Sequence, residues 1–455
     1  MRRLRRTGMR SSRFHLNAVG AALAIVGLAV SAGCASSSSP ASVRSSAPTS
    51  APSVSRSGPI PSASVGRSGS AKPTGSVEPA VATVPATSAQ VVAADDALAV
   101  NLLPLLGHGN VVLSPLSIAT ALQMTLQGAR GETAAQMRSV LHLANNASAA
   151  DSAKQLAASL AQIPAPTQLS IANTMWLQQG LTLQPDFAKT MSQDYASGFE
   201  RADFEHSASQ ATNEINKTIS DQTRGKIANL FTAGLLDSST RLVLANAVYL
   251  KAQWSSPFLS ADTAPGQFTL ANGHSTAVST MHETAALGYS QGAGYQAVTL
   301  PYSDNRLAMT IVLPNGSLPV LEKSLTVQTL AAMVRPGATT GVTLSLPKFS
   351  FDSSFDLGKT LQTLGMTDAF TSDADFSGIT TESLSISAVI HKAFIDVDEQ
   401  GTEAAAATGV VMVPLDARVS GQVVDVDRPF LFAITDTTTG APLFLGTVEN
   451  PSATG

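Results

Sequence analysis

The chain of 455 residues has a single cysteine, Cys34. No disulfide can form within it, so core packing must hold the fold together. Aromatic residues make up only 5%, which argues against stacking platforms for bases or sugars. Charged residues are scarce at 13%, and 28 Lys and Arg against 32 Asp and Glu leave a net charge of -4. Without a basic excess, no nucleic-acid or polyanion partner is expected. The 7 histidines show no metal-ligand spacing. Catalytic motifs are missing as well. No G-x-S-x-G elbow occurs. His282-Glu283 lacks the second histidine of H-E-x-x-H, and no Walker loop or G-x-G-x-x-G follows a strand. His391 lies in an apolar run and reads as a hydrogen-bonded core histidine rather than a catalytic base. The chain is therefore read as a non-enzyme without cofactor or metal. What it has in quantity is apolar side chains, at 44%, enough for a large core.

The N-terminus carries an export pattern. Arg2, Arg3, Arg5, Arg6, Arg10 and Arg13 precede an uncharged apolar run over residues 19–33. That run is short for a membrane span and reads as a secretory signal. It ends in Ser31-Ala32-Gly33-Cys34, which resembles the site where bacterial lipoproteins are cut and the cysteine lipidated. Ser31 stands where Leu is usual. The expectation is a signal peptide over 1–33 and lipidation at Cys34. Such an anchor would place the protein on the outer face of the bacterial membrane, with partial release as an alternative.

Residues 34–90 are dominated by Ser, Pro, Ala, Gly and Val. Such a segment cannot bury enough surface to offset its ordering entropy, so it is expected to be a disordered tether. A flexible chain of that length averages roughly 40 Å end to end. From residue 91 to 452 apolar periodicity persists, predicting one folded domain. Ile118–Met124 and Ala134–Leu141 read as helices. Arg241–Leu250, Leu307–Leu313, Val342–Leu346 and Ala388–Val397 read as strands. Early helices and late strands predict the α+β class.

Residues 398–421 (DEQGTEAAAATGVVMVPLDARVSG) are unusual. The alanine run favours helix, but Gly401 and Gly409 bracket it and Val410–Val413 is strand-like. Taken with period two, Thr402, Ala404, Ala406, Thr408, Val410 and Met412 share one face. Glu403, Ala405, Ala407, Gly409, Val411 and Val413 share the other, which carries the stretch's only charge. The segment could thus enter a sheet as a strand without burying a charge on the first face. A flexible alanine-rich surface loop fits the same periodicity.

Asp398 to Thr408 closely resembles the hinge of the reactive loop of inhibitory serpins, made here of Glu399, Gly401, Thr402, Glu403, Ala404, Ala405, Ala406, Ala407 and Thr408. The resemblance spans residues 91–452. It includes Asn110–Ile118 (NVVLSPLSI), Gly128–Leu141, Ile171–Leu177 (IANTMWL), Leu244–Trp254, Pro257-Phe258 and Leu346-Pro347-Lys348-Phe349. Val426–Phe432 (VDRPFLF) and Pro442–Asn450 (PLFLGTVEN) resemble the family's C-terminal signature. Many blocks in one order make the match specific.

The resemblance implies three β-sheets, about nine helices and an exposed loop that a protease attacks. The cut loop then inserts into the main sheet and traps the acyl-enzyme. It also implies that Ser114, Ser117, Asn246 and His391 form a polar cluster where strands must part. Trp254, Lys348 and Glu399 would mark where the loop first enters, with a Lys348–Glu399 ion pair.

In the inhibitors that the chain resembles, the loop runs 17 residues from the hinge glutamate to the bond, so the resemblance puts the scissile bond at Leu415–Asp416, counted from Glu399. That bond would suit a chymotrypsin- or elastase-like protease. Spacing from the C-terminal signature points instead to Arg418–Val419 and a trypsin-like protease; Met412 and Val413 are further alternatives. The hinge spacing is preferred, because that side sets how far the protease is carried. Residues 132–165 hold only Arg138 and Lys154 as basic residues, so activation by sulfated polysaccharide is not expected. The protein is expected to be a monomeric inhibitor of serine proteases. The competing expectations are a non-inhibitory serpin acting as a surface binding protein, and a structural surface lipoprotein.

Overall fold

The computed structural model describes residues 86–195, 198–403 and 421–453. The expected signal peptide, Cys34 and nearly all of the expected tether lie outside them, as do Ala404 to Thr408, Leu415, Asp416, Arg418 and Val419.

Nine α-helices occur among the described residues: α1 (Ala86–Leu102), α2 (Pro115–Leu126), α3 (Gly131–Val140), α4 (Asn146–Leu160), α5 (Pro185–Asp194), α6 (Phe204–Gln222), α7 (Leu318–Lys323), α8 (Val327–Val334) and α9 (Gly358–Thr363). The strands are β1 (Val111–Leu113), β2 (Gln168–Gln178), β3 (Phe199–Ala202), β4 (Leu242–Gln253), β5 (Ala264–Thr269), β6 (Ser275–Gly292), β7 (Tyr295–Pro301) and β8 (Leu307–Pro314). They continue as β9 (Ala338–Pro347), β10 (Phe349–Asp356), β11 (Ala388–Asp398), β12 (Gly401–Thr402), β13 (Gln422–Asp425), β14 (Phe430–Asp436) and β15 (Pro442–Val448). The class is α+β, and each predicted helix and strand coincides with one of these elements, with Leu141 just past α3 and Arg241 just before β4. Helix α1 starts at Ala86, ahead of residue 91.

The strands form two hydrogen-bonded assemblies. One runs β10-β11-β12-β4-β2-β3, and the other β1-β15-β14-β8-β7-β6-β9-β13 with β5 on β6. The second joins two of the three expected sheets. The 18-residue β6 pairs with β9 along Thr280–Tyr289 and with β7 along Gly288–Gly292, so one strand serves both.

At β4 the six-stranded sheet is buried on both faces. β4 reads LVLANAVYLKAQ, apolar almost throughout, as a strand covered on both sides must be. Its Val243, Ala245 and Ala247 pack with Ala211, Ile215 and Ile219 of α6. Those three recur at i, i+4 and i+8, the spacing of one helix face. On the opposite face, Leu242 and Leu244 join the core that holds Ile118 and Leu122 of α2. The sheet is thus a layer between α6 and the helical body.

Candidate functional site

β11 and β4 are neighbours in two different ways. Over six positions, Ala388↔Val243 to Ala393↔Val248, they pair directly and in parallel. Nearer the C-terminal end of β11 they fork, and β12 sits between them, antiparallel to both. Thr402 lies opposite Val397 on one side and Ala252 on the other. Two residues of the hinge are therefore already a strand of the sheet. Gly401 fits because it has φ +152 and a Cβ would stand 2.1 Å from the Ala252 carbonyl oxygen; only glycine permits so close a backbone approach.

The fork is built from side chains that the sequence singles out. Trp254 donates from Nε1 to the Asp398 carbonyl at 3.0 Å, and its ring stacks on Tyr302 at 4.6 Å between centroids. The backbone N–H groups of Trp254 and Phe258 donate to the carbonyls of Gln400 and Glu399, both at 2.9 Å. Lys348 Nζ meets Glu399 Oε2 at 2.7 Å, and Thr263 Oγ1 donates to Glu399 Oε1 at 2.8 Å. Burial pushes the Glu399 carboxyl up, but the hydrogen bonds from Lys348 and Thr263 outweigh it and hold it below the usual range. With Lys348 over a third exposed, such a pair is worth about 0–1 kcal/mol, enough to position the hinge but not to hold the fold. Trp254, Lys348 and Glu399 thus lie together around the hinge. Thr402 is buried, and its hydroxyl lies 2.5 Å from the Tyr302 hydroxyl.

The ladder stops at Glu403. Its N–H donates to the Asp396 carbonyl at 2.8 Å, but its φ is +46, a left-handed value that turns the chain out of extended geometry. The Glu403 carboxylate pairs with Lys226, in the segment that follows α6, and its Oε2 is buried without a partner.

Below the fork lies the polar cluster. Ser114 caps α2, accepting from the Ser117 N–H at 3.3 Å. Its own N–H donates to His391 Nε2 at 3.1 Å. A backbone N–H can only donate, so His391 must carry its proton on Nδ1 and donate to Asn246 Oδ1. That orients Asn246, whose Nδ2 donates to Ser117 Oγ at 2.5 Å and to Asn173 Oδ1. Ser117 Oγ in turn donates to Asn173 Oδ1 at 2.7 Å. Ser114, Ser117, Asn246 and His391 are brought together in one hydrogen-bonded cluster, and His391 and Asn246 are register partners across β11 and β4. Asn173 was not foreseen, although an asparagine amid the apolar run of β2 was its signal. Tyr302, Thr263 and Lys226 were also missed; nothing local distinguishes them.

His391 is fully buried, and burial pushes its pKa down to about 3. An unfolded histidine binds a proton near pH 6.5. Between these values the unfolded chain holds a proton that the folded chain does not. This group's contribution to stability therefore declines as pH falls through that window, by about 1.4 kcal/mol per pH unit. Burial pushes the carboxyls of Asp95, Asp96 and Glu283 up, which has the opposite sign. The difference between the parent and His391→Gln isolates the histidine. On going from pH 7 to pH 5, the parent's first thermal transition is expected to fall further than that of His391→Gln. Equal falls would mean that His391 does not titrate in this way.

The sequence matches the family described as Serpin (serine protease inhibitor) over residues 96–451. The chain belongs to the serpin family. Iris of Ixodes ricinus is 38% identical over 349 residues, covering 75% of this chain and 92% of Iris. Leukocyte elastase inhibitor of Bos taurus is 35% identical over 382 residues, covering 80% of this chain and all of that protein. The crystal structure of the thermophilic serpin tengpin in its native state is similar with a TM-score of 0.72 at 31% identity. It covers 80% of this chain and 94% of tengpin. As a family, serpins are protease inhibitors rather than enzymes.

Proposed function

We propose that this serpin inhibits serine endopeptidases as a suicide substrate. The observation that carries the reading is the fork, with Gly401 and Thr402 hydrogen-bonded between β11 and β4 above six directly paired positions. A strand already begun at an opening slot is the starting point of insertion.

The ladder predicts what would follow. Continued residue by residue from Gly401↔Gln253, it would carry the loop down β4 until Met412 stood opposite Leu242, the first residue of β4. Thr402, Ala404, Ala406 and Thr408 would face the helical body. Ala405, Ala407 and Gly409 would face α6, beside Ala245 and Ala247. Small side chains on that face suit the confined space. The slot ends at Met412, and the preferred bond, Leu415–Asp416, lies just beyond it. The protease serine would attack the Leu415 carbonyl, and the amine of Asp416 would leave. Insertion would then displace the acylated protease before water reaches the ester. The insertion is downhill from a native state held by a kinetic barrier. A chymotrypsin- or elastase-like target fits Leu415; a trypsin-like one fits the alternative, Arg418–Val419.

The test mixes the full chain with a chymotrypsin-like, an elastase-like and a trypsin-like protease. A denaturant-stable adduct is expected, and the mass of the released C-terminal peptide assigns the bond. Clean cleavage by all three without adduct would refute inhibition of these classes.

The protein is further proposed to act as a monomer at the outer face of the bacterial membrane, held by lipidated Cys34 and the segment to residue 90. Cys34→Ala is expected to move it from the membrane to the soluble fraction. Retention in the membrane would rule the anchor out.

A further inference from the structure

Glu403 is the first hinge residue to leave the ladder, and its carboxylate has charged neighbours on two sides. Lys226 pairs with it from the turn that caps α6. That turn is made by Arg224 and Gly225, at φ +56 and +80. The Lys226 N–H donates to the Thr223 carbonyl at 3.0 Å, and the Ile227 N–H to Thr223 Oγ1 at 3.2 Å. Just beyond, Ile227, Leu230 and Phe231 share one apolar cluster with Ala245 and Ala247 of β4 and Ile390 of β11. The turn therefore leads onto the part of the sheet where β4 and β11 are still directly paired. Burial and the Glu403 carboxylate push the Tyr249 hydroxyl up to about 12, so Glu403 lies on the face of β4 that Tyr249 and Lys251 share. Asp396 stands on the other side. Burial and the charges of Asp398 and Glu403 push its carboxyl up, and Lys226 opposes them. One lysine thus serves two acids.

We propose that Glu403 changes its cation as the loop inserts, leaving Lys226 for Lys251, and that this exchange opens the insertion. The step rests on the inhibitory reading above. Continued by one residue from Thr402, the ladder sets Glu403 opposite Lys251 on β4 and opposite Asp396 on β11. Residues directly opposite share a face, and like charges there destabilise a sheet while opposite charges support it. Lys251 is half-buried and makes no ion pair among the described residues, so it is available.

Two features make the exchange necessary. The left-handed Glu403, at φ +46, must become extended to continue the strand. Ala405 and Ala407 then follow onto the same face, opposite Tyr249 and Ala247 by the same register. That is where Ile227, Leu230 and Phe231 now join the apolar cluster, so the turn must lift and take Lys226 with it. Without a second cation, Glu403 would face Asp396 alone. Lys226 therefore positions the native hinge, and Lys251 positions the inserted one.

The test follows the two amines by mass spectrometry during acylation with an N-hydroxysuccinimide ester of acetate. Only the neutral amine reacts, and a carboxylate partner holds the proton on, so pairing slows the reaction. In the intact full chain, Glu403→Gln is expected to speed acylation of Lys226 about two- to fivefold and leave Lys251 unchanged. Once the loop has been cut, the same substitution should speed Lys251 and leave Lys226 unchanged. Function gives a second readout. Lys251→Gln is expected to raise the number of chains cut per adduct about two- to fivefold, and Lys251→Arg to restore the parent's ratio. In a Glu403→Gln background, Lys251→Gln should have no effect, which a merely structural role for the lysine would not produce. An intact chain in which Glu403→Gln left Lys226 unchanged would overturn the native pair. A cut chain in which it still sped Lys226 and not Lys251, or an equal effect of Lys251→Gln with and without Glu403, would overturn the exchange. If the parent forms no adduct at all, the inhibitory reading fails, while acylation of the intact and cut chains still decides which lysine Glu403 holds.

Discussion

Thr402→Arg is expected to turn the chain from a trap into a substrate that proteases cut and release. Thr402 is 1% exposed, held between Val397 and Ala252, with its hydroxyl against Tyr302. Tyr302 is itself fully buried and stacked on Trp254. The acids near this face are already engaged: Glu399 is held by Lys348 and Thr263, and Asp304, which acts on Tyr302, by Thr167 and the N–H groups of Arg306 and Leu307. Burying a guanidinium without compensation costs several kcal/mol. The cheaper outcome is for residues 401 and 402 to leave the sheet, which removes the strand from which insertion would start. Hydrolysis of the acyl-enzyme then outruns insertion. Each 1.4 kcal/mol added to the insertion barrier shifts the partition by about tenfold, so the adduct should become undetectable on a gel while cleavage continues. Thr402→Ser keeps the hydroxyl and should keep trapping. An arginine variant that trapped as well as the parent would show that insertion does not start at this fork.

Much of this architecture is written locally. The apolar run Ala388–Val397 needs only β-propensity to be recognised as strand, and Thr402 and Glu403, which period two assigns to opposite faces, meet Tyr302 and Lys226 respectively. What could not be read depends on which distant segments meet. Asn173 and Asn246 are 73 residues apart, and only the pairing of β2 with β4 makes them neighbours. Lys226 reaches Glu403 because α6 and the segment after it lie over the sheet. The fusion of two sheets through β6 follows from the length of one strand and its change of partner, and no propensity encodes a partner.

The second large effect follows from extending the same ladder. Thr408 lies outside the described residues, but its place in an inserted strand is set by register. Counting down from Thr402↔Ala252 brings it opposite Asn246, and from Val397↔Thr402 opposite His391. Both extensions meet at one pair, and that pair is the hydrogen bond that closes the sheet. Insertion must break the His391–Asn246 bond, leaving a buried Nδ1–H donor and a buried Oδ1 acceptor. Thr408 shares the face of Thr402, six residues on, so its hydroxyl would arrive between them, able to accept from one and donate to the other. Thr408→Val keeps the shape and removes the hydroxyl. Two buried polar groups left unpaired cost about 2–6 kcal/mol together in the inserted state. The closed native state keeps its His391–Asn246 bond and should unfold at the parent's temperature. The cleaved variant should therefore lose part of the thermal gain that insertion gives the parent, while Thr408→Ser retains it. If Thr408→Val gained as much on cleavage as the parent, the inserted strand would not follow this register.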